Sequence, residues 1–179
     1  MISEFSVKLS PTNKKAKYYS IGCMISSFLM FIVYVMIEQY KGLVGLVIIG
    51  LMTAGIYIYT RYVSTELLLD ITFDGDGTPV LVVRQLTGKR YSTLSRVELH
   101  SIAKIEKLEG DALKSHKAEA GYLKYTYTPT LFPEKMYLLV IRSRYEKAEM
   151  LLECGDDFAA FLLSQVREAK ELYPDTEEM

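Results

Sequence analysis

The chain has 179 residues, half of them hydrophobic, with 21 basic and 22 acidic side chains and a formal net charge of −1. That balance gives no global attraction to nucleic acid or anionic lipid. The two cysteines, Cys23 and Cys154, lie in an apolar run and in a late strand-like segment. They read as unpaired, small buried apolar groups, and nothing points to an oxidising compartment.

The apolar residues are unevenly spread. Residues 1–17 are expected as a cytoplasmic N-terminal segment, followed by two continuous apolar runs, Tyr18 to Ile37 and Leu43 to about Val63. Each is long enough to cross a bilayer, which takes about 20 helical residues. A cleaved leader fits less well, because the first run exceeds the apolar core of a signal peptide (about 7–15 residues) and lacks an obvious small-residue cleavage site. Residues 18–63 are therefore expected to form a transmembrane hairpin. Lys8, Lys14, Lys15 and Lys17 precede the first run and Arg61 ends the second, whereas Glu38-Gln39-Tyr40-Lys41-Gly42 between them has one basic residue. The bias of Lys and Arg toward cytoplasmic flanks predicts that both termini are cytoplasmic. Tyr18, Tyr19, Tyr34, Tyr40, Tyr57, Tyr59 and Tyr62 cluster toward the span ends, a depth that suits an apolar ring with a polar tip. Gly22 with Ser26, and Gly50 with Ala54, form small-xxx-small pairs that let helices approach closely. They are candidates for packing the spans on each other or on a partner's helix. No ionisable residue lies inside either span, which argues against an ion pathway.

After Tyr62 the period becomes two. Leu67, Leu69, Ile71 and Phe73 fall on one side and Glu66, Asp70 and Thr72 on the other, as in a half-buried strand. Asp74-Gly75-Asp76-Gly77 is a turn, followed by a strand from Val80 to Gln85. Thr87-Gly88-Lys89 turns into a short strand near Tyr91 to Leu94. Between Ser95 and Glu109 the spacing of Ile102 and Ile105 predicts a turn leading into a strand. Asp111 to Gly121 is polar and is expected as an exposed loop, with His116 facing solvent. Three further strands are predicted over Tyr122 to Thr128, Lys135 to Arg142 and Lys147 to Cys154. Pro129 and Pro133 make the first of their connections an extended loop, and Arg144-Tyr145-Glu146 forms the second. Phe158, Phe161, Leu162, Gln165, Val166 and Ala169 then recur at three and four, the stripe of a helix, with Asp156 or Asp157 as N-cap. Pro174 ends it, leaving residues 174–179 as an acidic tail.

Residues 64–173 thus read as seven strands and one amphipathic helix. A sheet bent into an open barrel leaves one end uncovered, where such a helix can bury its stripe. The segment Ser101-Ile102-Ala103-Lys104-Ile105-Glu106, the strand Tyr137 to Arg142, and Leu151-Leu152-Glu153 with Phe158, Phe161 and Leu162 resemble the pleckstrin-homology-like (PH-like) fold. The order is similar to that of bacterial PH-like domains that follow one or two transmembrane helices. The resemblance implies an α+β membrane protein, with a two-helix transmembrane hairpin followed by a PH-like seven-stranded open barrel capped by a C-terminal helix. Eukaryotic members that hold phosphoinositides place basic residues on the first two strands and their loop. Here that loop is Asp74-Gly75-Asp76-Gly77, which repels phosphate, so the resemblance does not imply phosphoinositide binding.

Little in the chain points to catalysis. Asp70, Asp74 and Asp76 lack the closing glutamate of a calcium loop. His100 and His116 have no partners at zinc spacing, and there is no Gly-rich phosphate loop, nucleophile elbow or redox cysteine pair. Lys104, Lys107, Lys114, Lys117 and Lys124 are interspersed with Glu106, Glu109, Asp111 and Glu119, which reads as a solvated face rather than a nucleic-acid surface. Arg84, Lys89 and Arg90 are candidates for contact with a partner or headgroups. So are Leu131 and Phe132, apolar residues between prolines. The expectation is a non-enzymatic module without cofactor or metal, integral to a bacterial-type cell membrane, that binds or scaffolds a protein partner at the cytoplasmic face. A lipid- or small-ligand-sensing module and an accessory subunit of a larger membrane complex are the alternatives.

Overall fold

A computed structural model describes residues 5–9, 15–143 and 147–173. The chain divides into two compact units, one built on two long helices together with Pro129–Leu131, the other on two β-sheets and a C-terminal helix.

The helices are α1, Lys15–Met36, and α2, Lys41–Tyr62, each of 22 residues. At 1.5 Å per residue each is about 33 Å long, and both are long and apolar enough to cross a membrane. Their contact is made by small and hydroxylated residues. Ser20 Oγ donates to the Gly55 carbonyl at 2.9 Å, and Ser27 Oγ to the Ile48 carbonyl at 3.3 Å. A Cβ placed on Gly55 would lie 3.2 Å from Cys23 Cβ and 3.3 Å from the Ser20 carbonyl. Of the two roles open to the small-xxx-small pairs, packing on each other or on a partner's helix, the pairs do not take the first. A Cβ placed on Gly22 or Gly50 would meet nothing within 4 Å, and Ser26 and Ala54 are exposed. Two small-residue stripes coexist on α1, and the seam follows the one whose hydroxyls reach α2 carbonyls, which spacing alone does not distinguish.

The first sheet has the order β1–β2–β3–β4, with β1 Phe5–Leu9, β2 Thr65–Phe73, β3 Pro79–Thr87 and β4 Arg90–Glu98. β1 runs antiparallel to β2, with Phe5 opposite Ile71 and Leu9 opposite Leu67. The sequence count of seven strands is therefore one short among the described residues. Phe5-Ser6-Val7-Lys8-Leu9, assigned from sequence to a separate N-terminal segment, belongs to the sheet, and the two helices are inserted between its first two strands. The β2–β3 turn is fixed by Asp74 N–H donating to the Thr78 carbonyl at 2.8 Å, with Gly77 at φ 85°.

A 3₁₀ turn at Leu99–Ser101 leads into the second sheet, ordered β5–β7–β8–β6, with β5 Ile102–Glu109, β6 Leu123–Tyr127, β7 Lys135–Arg142 and β8 Lys147–Leu152. β5–β7 and β7–β8 are antiparallel, whereas β6 pairs parallel to β8, with Leu123 opposite Ala148. A short helix, α3 Gly110–Ser115, occupies part of the expected loop. Leu67, Leu69 and Ile71 of the first sheet and Leu139, Ile141, Met150 and Leu152 of the second share one core. α4, Asp156–Leu172, buries Phe158, Leu162, Val166 and Ala169 into it. Its N-cap is Gly155 rather than an aspartate, and Asp156 opens the helix with its carboxylate committed to other partners.

Gly55→Leu is expected to force the helix pair apart at a cost of about 1–3 kcal/mol, whereas Gly50→Leu, facing outward, leaves it intact. Thermal unfolding of the full chain in detergent micelles, comparing the two variants, checks this; equal effects would place the seam elsewhere.

Candidate functional site

Three arrangements outside the core are candidates for function. The first lies on the outer face of the first sheet. Leu67, Leu69 and Ile71 point into the core, so Asp70 points away from it, yet it is only 8 % exposed. Ser6 Oγ, from β1, donates to Asp70 Oδ1 at 2.5 Å, and Arg84 Nε lies 3.3 Å from Oδ2. The pair floors an open groove of about 490 Å³, with Phe5 and Tyr91 among its walls. Arg84 thus uses Nε on Asp70, while its side chain remains 41 % exposed. A guanidinium held in this way leaves its terminal nitrogens free to form a two-pronged contact with an oxyanion. The other two basic candidates follow at the next turn, with Lys89 at its tip and Arg90 opposite Thr87, both exposed.

The second is a cleft of about 380 Å³ beside β4. Leu94, Arg96 and Val97 of β4 form one wall, and Tyr125, Ala148 and Met150 of the second sheet line the rest. β4 has no strand neighbour on this side among the described residues, so a nine-residue edge of backbone donors and acceptors stands next to an opening in the core.

The third surrounds the first residue of α4. Asp156 Oδ1 accepts from Lys135 Nζ at 2.8 Å and Tyr137 Oη at 2.5 Å, with Lys107 Nζ at 3.5 Å. The bonds from Lys135 and Tyr137 hold the Asp156 carboxyl at about 2. Burial, and then the bond to Asp156, push the Tyr137 phenol to about 12. Burial also drives the Cys154 thiol to about 12, which keeps it protonated and unreactive. This is a tie between β7 and α4.

The aspartates of the β2–β3 turn are consumed locally. Asp74 Oδ1 accepts from Gly75 N–H and pairs with Arg96 at 2.7 Å, and Asp76 Oδ1 accepts from Thr78 N–H. Among the described residues no group of three His, Cys, Asp or Glu side chains could hold a metal ion. Leu131 is half-buried and grouped with the helices, whereas Phe132 is 57 % exposed. Among the predicted contact residues, only Arg84 belongs to a built polar arrangement. Sequence reasoning missed its partner, because Asp70 looked like an ordinary outward strand residue and Ser6 lay across the helices. His116, expected in solvent, instead lies 2.9 Å from the buried Glu149. No protein-family model matches this chain, and no curated protein does.

The cluster at α4 makes a two-sided pH prediction. Asp156 is depressed in the folded state, so its stabilisation is present above about pH 4 and is lost as pH falls toward 2. Tyr137 is raised, so its stabilisation is present below about pH 10 and is lost as pH rises through 12. The melting-temperature gap between the parent chain and Asp156→Asn should close as pH falls from about 4 toward 2. The gap to Tyr137→Phe should close as pH rises from about 10 toward 12 and, because the Tyr137 bond also depresses Asp156, narrow in part on the acid side; a pH-independent gap in either series would contradict the assignment.

Proposed function

We propose that this chain is a membrane-anchored, non-enzymatic binding module. In this reading α1 and α2 cross a bilayer as a hairpin, and the two-sheet domain, PH-like in kind, binds a protein partner at the cytoplasmic face. The observation that carries the reading is the pairing of β1 with β2 across the helices. A cleaved leader ending in α1 would take β1 with it and remove Ser6 from Asp70. A soluble core helix would be largely buried, whereas only Ala16, Ser20 and Ser27 of α1 and Val44 and Gly55 of α2 are. Phe28, Val35, Leu46 and Ile49 are all more than 60 % exposed, at 67, 64, 71 and 64 %, a surface suited to hydrocarbon rather than water. Pairing of β1 with β2 also accords with both flanks lying on one side, and the flanking lysines favour the cytoplasm.

The PH-like reading is supported by two sheets over a common core closed by a C-terminal helix. The parallel β6–β8 pair and the strand before the helices are departures from a simple antiparallel barrel. The partner surface we favour is the β4 edge with its cleft. An extended segment added there would gain main-chain hydrogen bonds and could place a side chain against Met150. A second reading, recognition of an anionic headgroup or small molecule, is favoured by the Arg84–Asp70–Ser6 groove.

In native membranes, a photo-reactive residue at Leu94 should give a protein adduct, and one at the exposed Leu163 of α4 should not. The chain should also resist extraction by alkaline carbonate. Release by carbonate would remove the anchor. Absence of a protein adduct at Leu94, with a lipid adduct at Tyr91, would replace the first reading with the second.

A further inference from the structure

The outer face of the second sheet carries a buried charge whose hydrogen-bond partners all come from one short segment. Glu149 lies on β8 between Ala148 and Met150, which face the core, so its carboxylate faces outward, yet it is only 5 % exposed. Both oxygens are engaged. Oε2 lies 2.9 Å from His116 Nε2, and Oε1 accepts the Glu119 backbone N–H at 2.9 Å. Both donors belong to Gly110–Gly121, the connection between β5 and β6.

That segment is otherwise lightly attached. No residue of α3 is buried, and Leu113 is its one side chain packed against the apolar cluster of Leu108, Met136, Leu138 and Leu151. Both ends are glycines in the left-handed region, Gly110 at φ 55° and Gly121 at φ 88°, where a side chain would be strained. A carboxylate withdrawn from water and then paired contributes little net stability relative to the hydrated group. Lifting the segment returns Glu149 to water, so the polar tie adds little to hold it closed, and the contact of Leu113 with the apolar cluster is what opening has to break.

We infer that Gly110–Gly121 is a strap that opens and closes over the second sheet, latched by the Glu149 carboxylate and released when that carboxylate takes up a proton. The latch holds in either charge state of His116, because Nε2–H donates in the imidazolium and in one neutral tautomer alike. A protonated Glu149 has turned one of its two acceptor oxygens into a donor, which an Nε2–H of His116 opposes. Val140 of β7 and Lys124 of β6 lie opposite Glu149 in the strand register. From β5, Glu106 is close enough for His116 to hold its carboxyl below the usual range, after the larger effect of Lys104. His116, Lys124 and Glu106 are thus the charged or titratable groups that face the latch. Opening uncovers Leu108, Met136, Leu138 and Leu151 around a hydrated carboxylate.

The test is hydrogen–deuterium exchange on the full chain in detergent micelles across acid to neutral pH, corrected for intrinsic rates. The Glu119 amide is compared with amides of β7. The expected result is opening of Glu119 at least about tenfold more frequent than that of the β7 amides, rising further as the pH falls. Glu149→Gln should exchange fast at every pH, with the pH dependence lost. His116→Ala should weaken the latch while keeping the acid limb. Equal protection of Glu119 and β7 at all pH values would show a permanent tie, broken only by global unfolding, and would overturn the inference. Retention of the parent pH dependence in Glu149→Gln would overturn the latch. Should that variant not fold, the parent profile and His116→Ala still decide.

Discussion

The architecture depends on five residues pairing across a long insertion. β1 and β2 are adjacent in the sheet but separated in the chain by both long helices. Bringing them together costs loop-closure entropy, which grows only slowly with the length enclosed. The hydrogen bonds of the ladder, the Phe5 ring against Phe158 and Phe161, and the Ser6–Asp70 contact offset that cost. One consequence is that the helices are an insertion into a sheet rather than an appendage in front of a domain. On the other flank, Val63 and Ser64 both donate to the Tyr59 carbonyl, and Thr65 Oγ1 donates to that of Thr60.

Each sheet carries a carboxylate on the face turned away from the core, and each carboxylate secures a peripheral segment. Asp70 receives Ser6 and so ties β1 to β2, while Glu149 receives His116 and Glu119 and ties the connection between β5 and β6. Apolar residues at these positions would avoid the desolvation cost but would fix nothing in particular. A charge accepts only donors placed at the right points, so each defines a register. The two differ in completeness. Both oxygens of Glu149 are hydrogen-bonded, whereas Oδ2 of Asp70 has only the nearby charge of Arg84 and no aligned donor.

Much of the fold was legible because burial is one-sided. Period-two alternation located β2 and period three to four located α4, since each presents one face to a common core, whereas β3 and β7, buried on both faces, showed as short apolar runs between turn residues. β1 shows the same alternation, Phe5, Val7 and Leu9 against Ser6 and Lys8, but an apolar run of two helices follows it and its partner lies beyond them. The parallel pairing of β6 was not legible, because register and direction depend on contacts that no local pattern encodes. The candidate site was legible only in part. Arg84 stood out as a cation on a strand, but what makes it specific is Asp70 beneath it, and that residue's burial comes from tertiary packing. His116 was misjudged for the same reason: a polar segment reads as solvated unless a buried acceptor is known to lie under it.

The β4 edge raises the question of what limits the pairing of a nine-residue strand, open on one side among the described residues, with copies of itself. Long flat edges promote association, and proteins blunt them with charges and bulges. β4 has both: Arg90, Arg96 and Glu98 along its length, and a register irregularity against Val83 and Arg84 that bends the ladder. These features weaken any strand addition, including the proposed one with a partner. The proposed anchoring would resolve the conflict. A domain confined to a membrane surface meets a partner in the same membrane at a high effective concentration, so an edge too weak to capture strands from solution can still pair with one held nearby. On this reading, the blunted edge and the inserted helices are two halves of one arrangement, in which location supplies the affinity that the edge withholds.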